Sequence, residues 1–456
     1  MTTRSTATQV TQHPLPDSQP RQMSRRGLET GSHNEPVSSG NSTASHITSA
    51  SAFCASSQFD IWATLVQLDK NVNSSIPSHE NFQPLEDLKN LSNQFPAWLG
   101  DNHSSKFQYI LPSCNDIATE IRTELAGKPT ALQNDVNLHL GSLQAVLNAC
   151  RHMQLLGHHS RRPTEADRRH SLDALFTHIC ESDNGDNGEL VKYSCEQELK
   201  LPQAQFGKCN VTKTKAGGVM YLDVPDFAPY QQSRMKAPAT AFYHKGLVDN
   251  LQVVDCVAEF KREDDGSNQG MMAMVSGLYQ RAVLQMPGQF VFGVLHSEEV
   301  FFKVVAGIWQ ENKIQLYEIG SYSLADPTEA LQLYLVLRGI HHLGGLYDQE
   351  LRSSAEVLSA RVRENPPSRE WHPPRMGSID GDVSEDQQPS HQRGTSIQQE
   401  TPGQRHAHDR VQSYLETISS LSEFLAVDRP PTPLTDLPSA AAGPIGLTGR
   451  TQTEGV

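Results

Sequence analysis

The chain has 456 residues, 38 of them basic and 52 acidic, for a net charge of −14 at neutral pH. That length suffices for two or three average domains, but only 37% of residues are hydrophobic, and Ser, Thr, Gln, Pro and Gly crowd both ends, the composition of a globular centre with disordered flanks. Four arginines face three acids in residues 1–50 and nine arginines face thirteen acids in 361–456, which leaves −11 for residues 51–360. An acidic centre speaks against an unaided grip on duplex DNA, where phosphate contacts dominate affinity and favour a basic face.

The seven cysteines (Cys54, Cys114, Cys150, Cys180, Cys195, Cys209 and Cys256) fall at spacings that match no disulfide or zinc framework. This predicts a reducing, intracellular setting, nucleus or cytoplasm. No apolar leader and no run of about 18 apolar residues occurs, so no membrane association is expected.

Residues 1–56 read as disordered. From 57 the spacing turns helical. Ile61, Leu65 and Leu68 form one stripe, and Leu85, Leu88 and Leu91 a second that continues through Phe95 and Trp98. Ile117, Ile121 and Leu125 form a third, and Val136 to Cys150 a fourth. A further helix opens at Pro163-Thr164 and runs to Ile179. Residues 57–182 therefore read as an all-α region.

The texture changes after the glycine- and asparagine-rich loop at 184–188. Val219–Leu222 reads as a strand, followed by a long loop over 228–248. Leu251–Lys261 reads as a second strand, continuous enough in apolar residues to be central in a sheet. A helix is expected from about Gln269 to Gln285, then strands at 289–296, 299–308 and 313–319 joined by tight turns at His296–Glu298 and Glu311-Asn312. A last helix covers roughly 326–343. This order implies a mixed sheet with helices on it, an α/β or α+β domain over about 190–345. Residues 362–456 read as a second disordered tail with one island, a helix at 408–427 carrying Val411, Leu415, Ile418 and Leu425, which fits docking to a protein partner.

The chemistry concentrates at the end of the central strand. Glu259 and Lys261 lie two residues apart and point the same way on a strand. Strict alternation also puts Asp255 on that face, about 13 Å along the strand from Glu259. Upstream stands Pro225-Asp226. Two carboxylates can hold a Mg²⁺ or Mn²⁺ ion on a phosphate while a lysine stabilises developing charge. Asp249 competes with Asp226 for the place of the first acid, Asp255 lies too far from Glu259 to share one metal, and Glu181, Glu196 or Glu198 could supply a further acid upstream.

Pro-Asp followed by Glu-x-Lys, with Gln269 opening the next helix, resembles the PD-(D/E)xK nuclease-like superfamily. The likeness spans Val219 to about Gly344 and is strongest to the fungal type, including the nuclease-like domains that precede fungal-specific kinase domains. The resemblance implies a restriction-endonuclease-like mixed sheet with flanking helices. It makes Asp226, Glu259, Lys261 and Gln269 the catalytic residues, with Asp226 and Glu259 as the metal ligands and the main-chain carbonyl of Phe260 beside them. It also implies metal-dependent hydrolysis of nucleic acid, or a catalytically inactive nuclease-fold module that engages protein partners. The blander reading is that Glu259 and Lys261 form a solvated ion pair. The histidine doublets His158-His159 and His341-His342 are adjacent in sequence, so each pair faces two directions and is read as surface or packing residues. No Walker loop, dinucleotide fingerprint or nucleophile elbow occurs.

Overall fold

The computed structural model describes residues 57–134, 136, 138–158, 163–182, 190–206, 209–243, 248–260, 267–298 and 300–373. The expected disordered stretch 1–56, the helix at 408–427 and Lys261 lie outside the described residues.

The centre is a strand β4, Leu251–Glu259. Its run of Val, Cys and Ala between Leu251 and Glu259 is buried on both faces, as a strand in the middle of a covered sheet must be. β3 (Lys213–Val224) pairs with it antiparallel, and β2 (Val191–Lys200) pairs antiparallel with β3 at the sheet edge. On the other side, β5 (Val291–Glu298) runs parallel to β4. The crossover between them is α8 (Ser267–Val283), since parallel neighbours need a long connection. β6 (Phe301–Gln310) and β7 (Lys313–Ser323) continue the sheet antiparallel. Glu311 has a φ of 54° in the two-residue turn joining them, the left-handed backbone that such tight hairpins require.

The seventh strand was not legible. β1 (Leu68–Asn73) joins the far edge parallel to β7, within the stretch that reads as all-α. Helix α1 (Gln58–Leu65) ends just before it, and Gln67 turns the chain at a φ of 63°. Leu68, counted as the last rung of a helical stripe, is the first buried residue of this strand. Four longer helices follow: α2 (Gln83–Leu91), α3 (Asn115–Ala126), α4 (Leu140–His158) and α5 (Glu165–Ser182). Together with α9 (Pro327–Ser353), they share one apolar cluster with the β4 face formed by Val253, Cys256 and Ala258. The expected helical region and α/β domain are therefore not separate bodies, because the helices bury their stripes against the sheet itself.

Short helices α6 (Ala228–Gln231) and α7 (Ser233–Ala239) occupy the expected long loop. On the opposite face of the sheet, Val254, Val257, Val291 and Leu295 pack against Met272, Val275 and Leu278 of α8. Asp326 caps α9 by accepting from the Glu329 amide, with Pro327 in its first turn. α9 runs ten residues past its expected end, and α10 (Ala355–Glu364) follows. The tail expected from 362 begins inside the fold: an extended strap, 365–373, inserts Trp371 into the α8-side core, where it is 2% exposed.

A bulge in β4 sets the direction of its side chains. Met220 is opposite Cys256 while its neighbour Tyr221 is opposite Val254, so Asp255 is an extra residue with no partner on β3. Instead of sharing the Glu259 face, Asp255 turns toward α9, where its Oδ2 lies 3.1 Å from the Cβ position of Gly344. Arg281, in the last turn of α8, donates to Asp255 Oδ1 at 3.0 Å, and its guanidinium stands over the Tyr347 ring of α9 at 5.4 Å. Both partners are fully buried. Burial pushes the Asp255 carboxyl up to about 7, against the opposing pull of Arg281. Removing either partner alone, by Asp255→Ala or Arg281→Met, leaves a buried charge uncompensated and is expected to cost about 3–5 kcal/mol in urea unfolding. The apolar pair Asp255→Leu with Arg281→Met is expected to recover most of that loss.

Lys200, at the end of β2, fixes the strap. Its Nζ donates to the Arg369 carbonyl at 2.5 Å and sits 4.4 Å from the centre of the Trp371 ring. Burial lowers its pKa from 10.5 to about 8, with Glu370 opposing. Between those values the unfolded chain holds the proton and the folded chain has released it, so stability from this group rises with pH from about 8 to 10.5. The difference in urea stability between wild type and Lys200→Met is expected to widen in favour of wild type across that window.

Candidate functional site

The carboxyl end of β4 is where chemistry was expected. Glu259 closes the strand and its side chain is directed to the α8 layer, with its Cβ 3.4 Å from the Cβ position of Gly270. It is 2% exposed, and its Oε2 accepts from the Gly217 amide of β3 at 3.1 Å. Gln269, in the first turn of α8, is 4% exposed and donates through Nε2 to the Lys215 carbonyl at 2.5 Å. The structure thus brings Glu259 and Gln269 to the same short segment of β3 backbone, at Gly217 and Lys215. Phe260 follows with its ring buried edge-on to Phe302, 5.9 Å between centroids.

Two glycines make this packing possible. A Cβ on Gly217 would meet the Phe260 ring at 3.0 Å and the Ala258 carbonyl at 3.1 Å. A Cβ on Gly270 would sit 2.2 Å from Leu295 Cδ2. Neither glycine was singled out from the sequence, although Gly217-Gly218 inside a strand run is the ordinary signal of close backbone approach.

Asp226 is not part of this arrangement. β3 and β4 are antiparallel, with Val224 opposite Leu251 and Gly218 opposite Ala258. Asp226 follows the end of β3, so it lies at the start of β4, roughly 25 Å from Glu259 at a strand's rise per residue. It is exposed, in a turn, with a φ of 55°. Asp249 is at the same far end, exposed, 3.8 Å from Lys236. Glu181 is exposed at the end of α5.

Glu196 and Glu198 are the acids nearest in register. On β2, Gln197 is opposite Ala216 and Cys195 opposite Gly218, which sets Glu196 across from Gly217. Both acids are already paired. Glu196 contacts Lys215 Nζ at 2.7 Å and Arg169 Nη1 at 3.2 Å, and these cations hold its carboxyl below the ordinary range. Glu198 contacts Lys213 at 2.8 Å. Arg169 also binds Asp173, which accepts from the Tyr193 hydroxyl. Among the described residues no group of three His, Cys, Asp or Glu side chains converges as metal ligands. With Asp226 a strand length away and Glu259 bonded to a backbone amide, the described donors do not fit a Mg²⁺ or Mn²⁺ ion.

Gln269 holds the β3 backbone through an amide that leucine cannot replace. Gln269→Leu is expected to leave the Lys215 carbonyl without this donor and to destabilise the fold by about 1–3 kcal/mol, read by urea unfolding. No family model matches the chain, and no curated protein matches it.

Proposed function

We propose that the chain carries a PD-(D/E)xK-like α/β domain that acts as a binding module and does not cleave phosphodiesters. The observation that carries this reading is the antiparallel register of β3 and β4, which separates Asp226 from Glu259 by the length of a strand. Two-acid metal chemistry needs both carboxylates at one ion. The pairing of Glu196 and Glu198 with Lys215 and Lys213 supports the same reading, because the acids closest in register are neutralised by structural partners. The acidic centre of the chain adds to it, since nucleic acid is a poor partner for such a surface.

A second reading, metal-dependent hydrolysis of nucleic acid, is favoured by one observation. Glu259 and Gln269 both bind the β3 backbone at the carboxyl end of a central strand beside the start of α8, the end of an open α/β sheet where ligands commonly bind. The purified full-length chain, incubated with DNA and RNA in Mg²⁺ or Mn²⁺, is expected to show no cleavage above a metal-free control. Cleavage that disappears in both Glu259→Ala and Lys261→Ala would establish the second reading and overturn the first.

A further inference from the structure

A cleft of about 600 Å³ lies under the strap, at the opposite end of α8 from Glu259. Tyr279 is twelve residues from the start of α8, roughly 18 Å along the helix axis. Tyr279 and Val283 line it from α8, Trp309 from the end of β6, and Pro366, Glu370 and Trp371 from the strap. The Tyr279 and Trp309 rings meet at 67° with 5.1 Å between centroids, and Trp371 stacks near Tyr279 at 6.2 Å. Trp309 donates its indole N–H to the Leu278 carbonyl at 2.8 Å, so the ring is held in place before any ligand arrives.

The lining carries one carboxylate, Glu370, and one histidine, His372, and no lysine or arginine. Aromatic faces attract cations through the ring quadrupole, and an alkylated ammonium suits them because it is weakly hydrated. The fold already uses Trp371 in this way, with the Lys200 ammonium over its ring. We propose that the cleft binds an organic cation of the alkylammonium class, seated against Trp309 with Glu370 as its counter-charge. Two guanidiniums stand at the rim: Arg361 donates to Gln285 Oε1, and Arg369 lies 4.0 Å from Glu370. They make an anionic aromatic such as a nucleotide the competing class of ligand.

Saturation-transfer NMR on the full-length chain separates the two classes, with tetramethylammonium chloride, tert-butyl alcohol as its uncharged shape match, and AMP as probes. Tetramethylammonium is expected to show saturable transfer and tert-butyl alcohol none. Trp309→Leu is expected to weaken the cation about tenfold, while Trp309→Phe, which keeps a ring, retains it. Glu370→Gln, at a half-buried position, removes the counter-charge and keeps the side chain's shape, and is expected to weaken binding several-fold. The proposal is overturned if tetramethylammonium does not bind, if tert-butyl alcohol binds equally well, or if neither Trp309→Leu nor Glu370→Gln lowers affinity. AMP binding that is lost in Arg361→Ala, in the absence of cation binding, assigns the cleft to the nucleotide class instead.

Discussion

The Asp255–Arg281 pair ties the two helical layers to a single strand. Arg281 belongs to α8 on one face of the sheet, yet its guanidinium reaches Asp255 and Tyr347 on the face covered by α9. A charged pair at 0% and 1% exposure costs desolvation that no surface pair bears, and one hydrogen bond repays only part of it. Asp255 Oδ2 and Arg281 Nε have no hydrogen-bond partner among the described residues, so this satisfaction is incomplete. What the pair gains is geometry. It holds Asp255 as the extra residue of a bulge, and it fixes where α8 ends against α9.

The bulge then decides what the end of β4 presents. One added residue exchanges the faces of everything beyond it. Val254 and Val257 both reach the α8 side although they stand three positions apart, and Cys256 and Ala258 take the α9 side with Val253. Glu259 consequently ends in the α8 layer, against Gly270 and under the Gly217 amide. In a strand that alternated without the bulge, Asp255 and Glu259 would share a face.

The sequence carried the centre of the fold well because central strands and their crossover helix are dictated by local composition. The apolar run from Leu251, the helix after it and the hairpin at Glu311-Asn312 all appear where their residues predict. The edges were harder to read. β1, with Asp69, Lys70 and Asn71, and β2, with Glu196, Gln197 and Glu198, are half-solvated strands whose polar residues mask the period of two. The strap was hidden for a related reason: one tryptophan, Trp371, anchors a segment that is otherwise prolines and charges. Of the four expected site residues, Glu259 and Gln269 were legible as neighbours because a strand end and the next helix start are close in any such crossover. Asp226 was misread because Pro-Asp marks the end of a strand without revealing which way that strand runs.

Antiparallel pairing supplies the missing constraint. The end of one strand in a hairpin lies beside the beginning of the next, so an acid that follows β3 cannot reach an acid that ends β4. On the β3 side of Glu259, the charged groups in register come from the start of β3 and the facing part of β2. Those positions hold Lys213, Lys215, Glu196 and Glu198, and their charges are spent on one another and on Arg169. A loose motif with two acids in the right order is therefore compatible with a site that holds one acid, bonded to backbone. The linear spacing of such a motif acquires chemical meaning only once the register of its two strands is known.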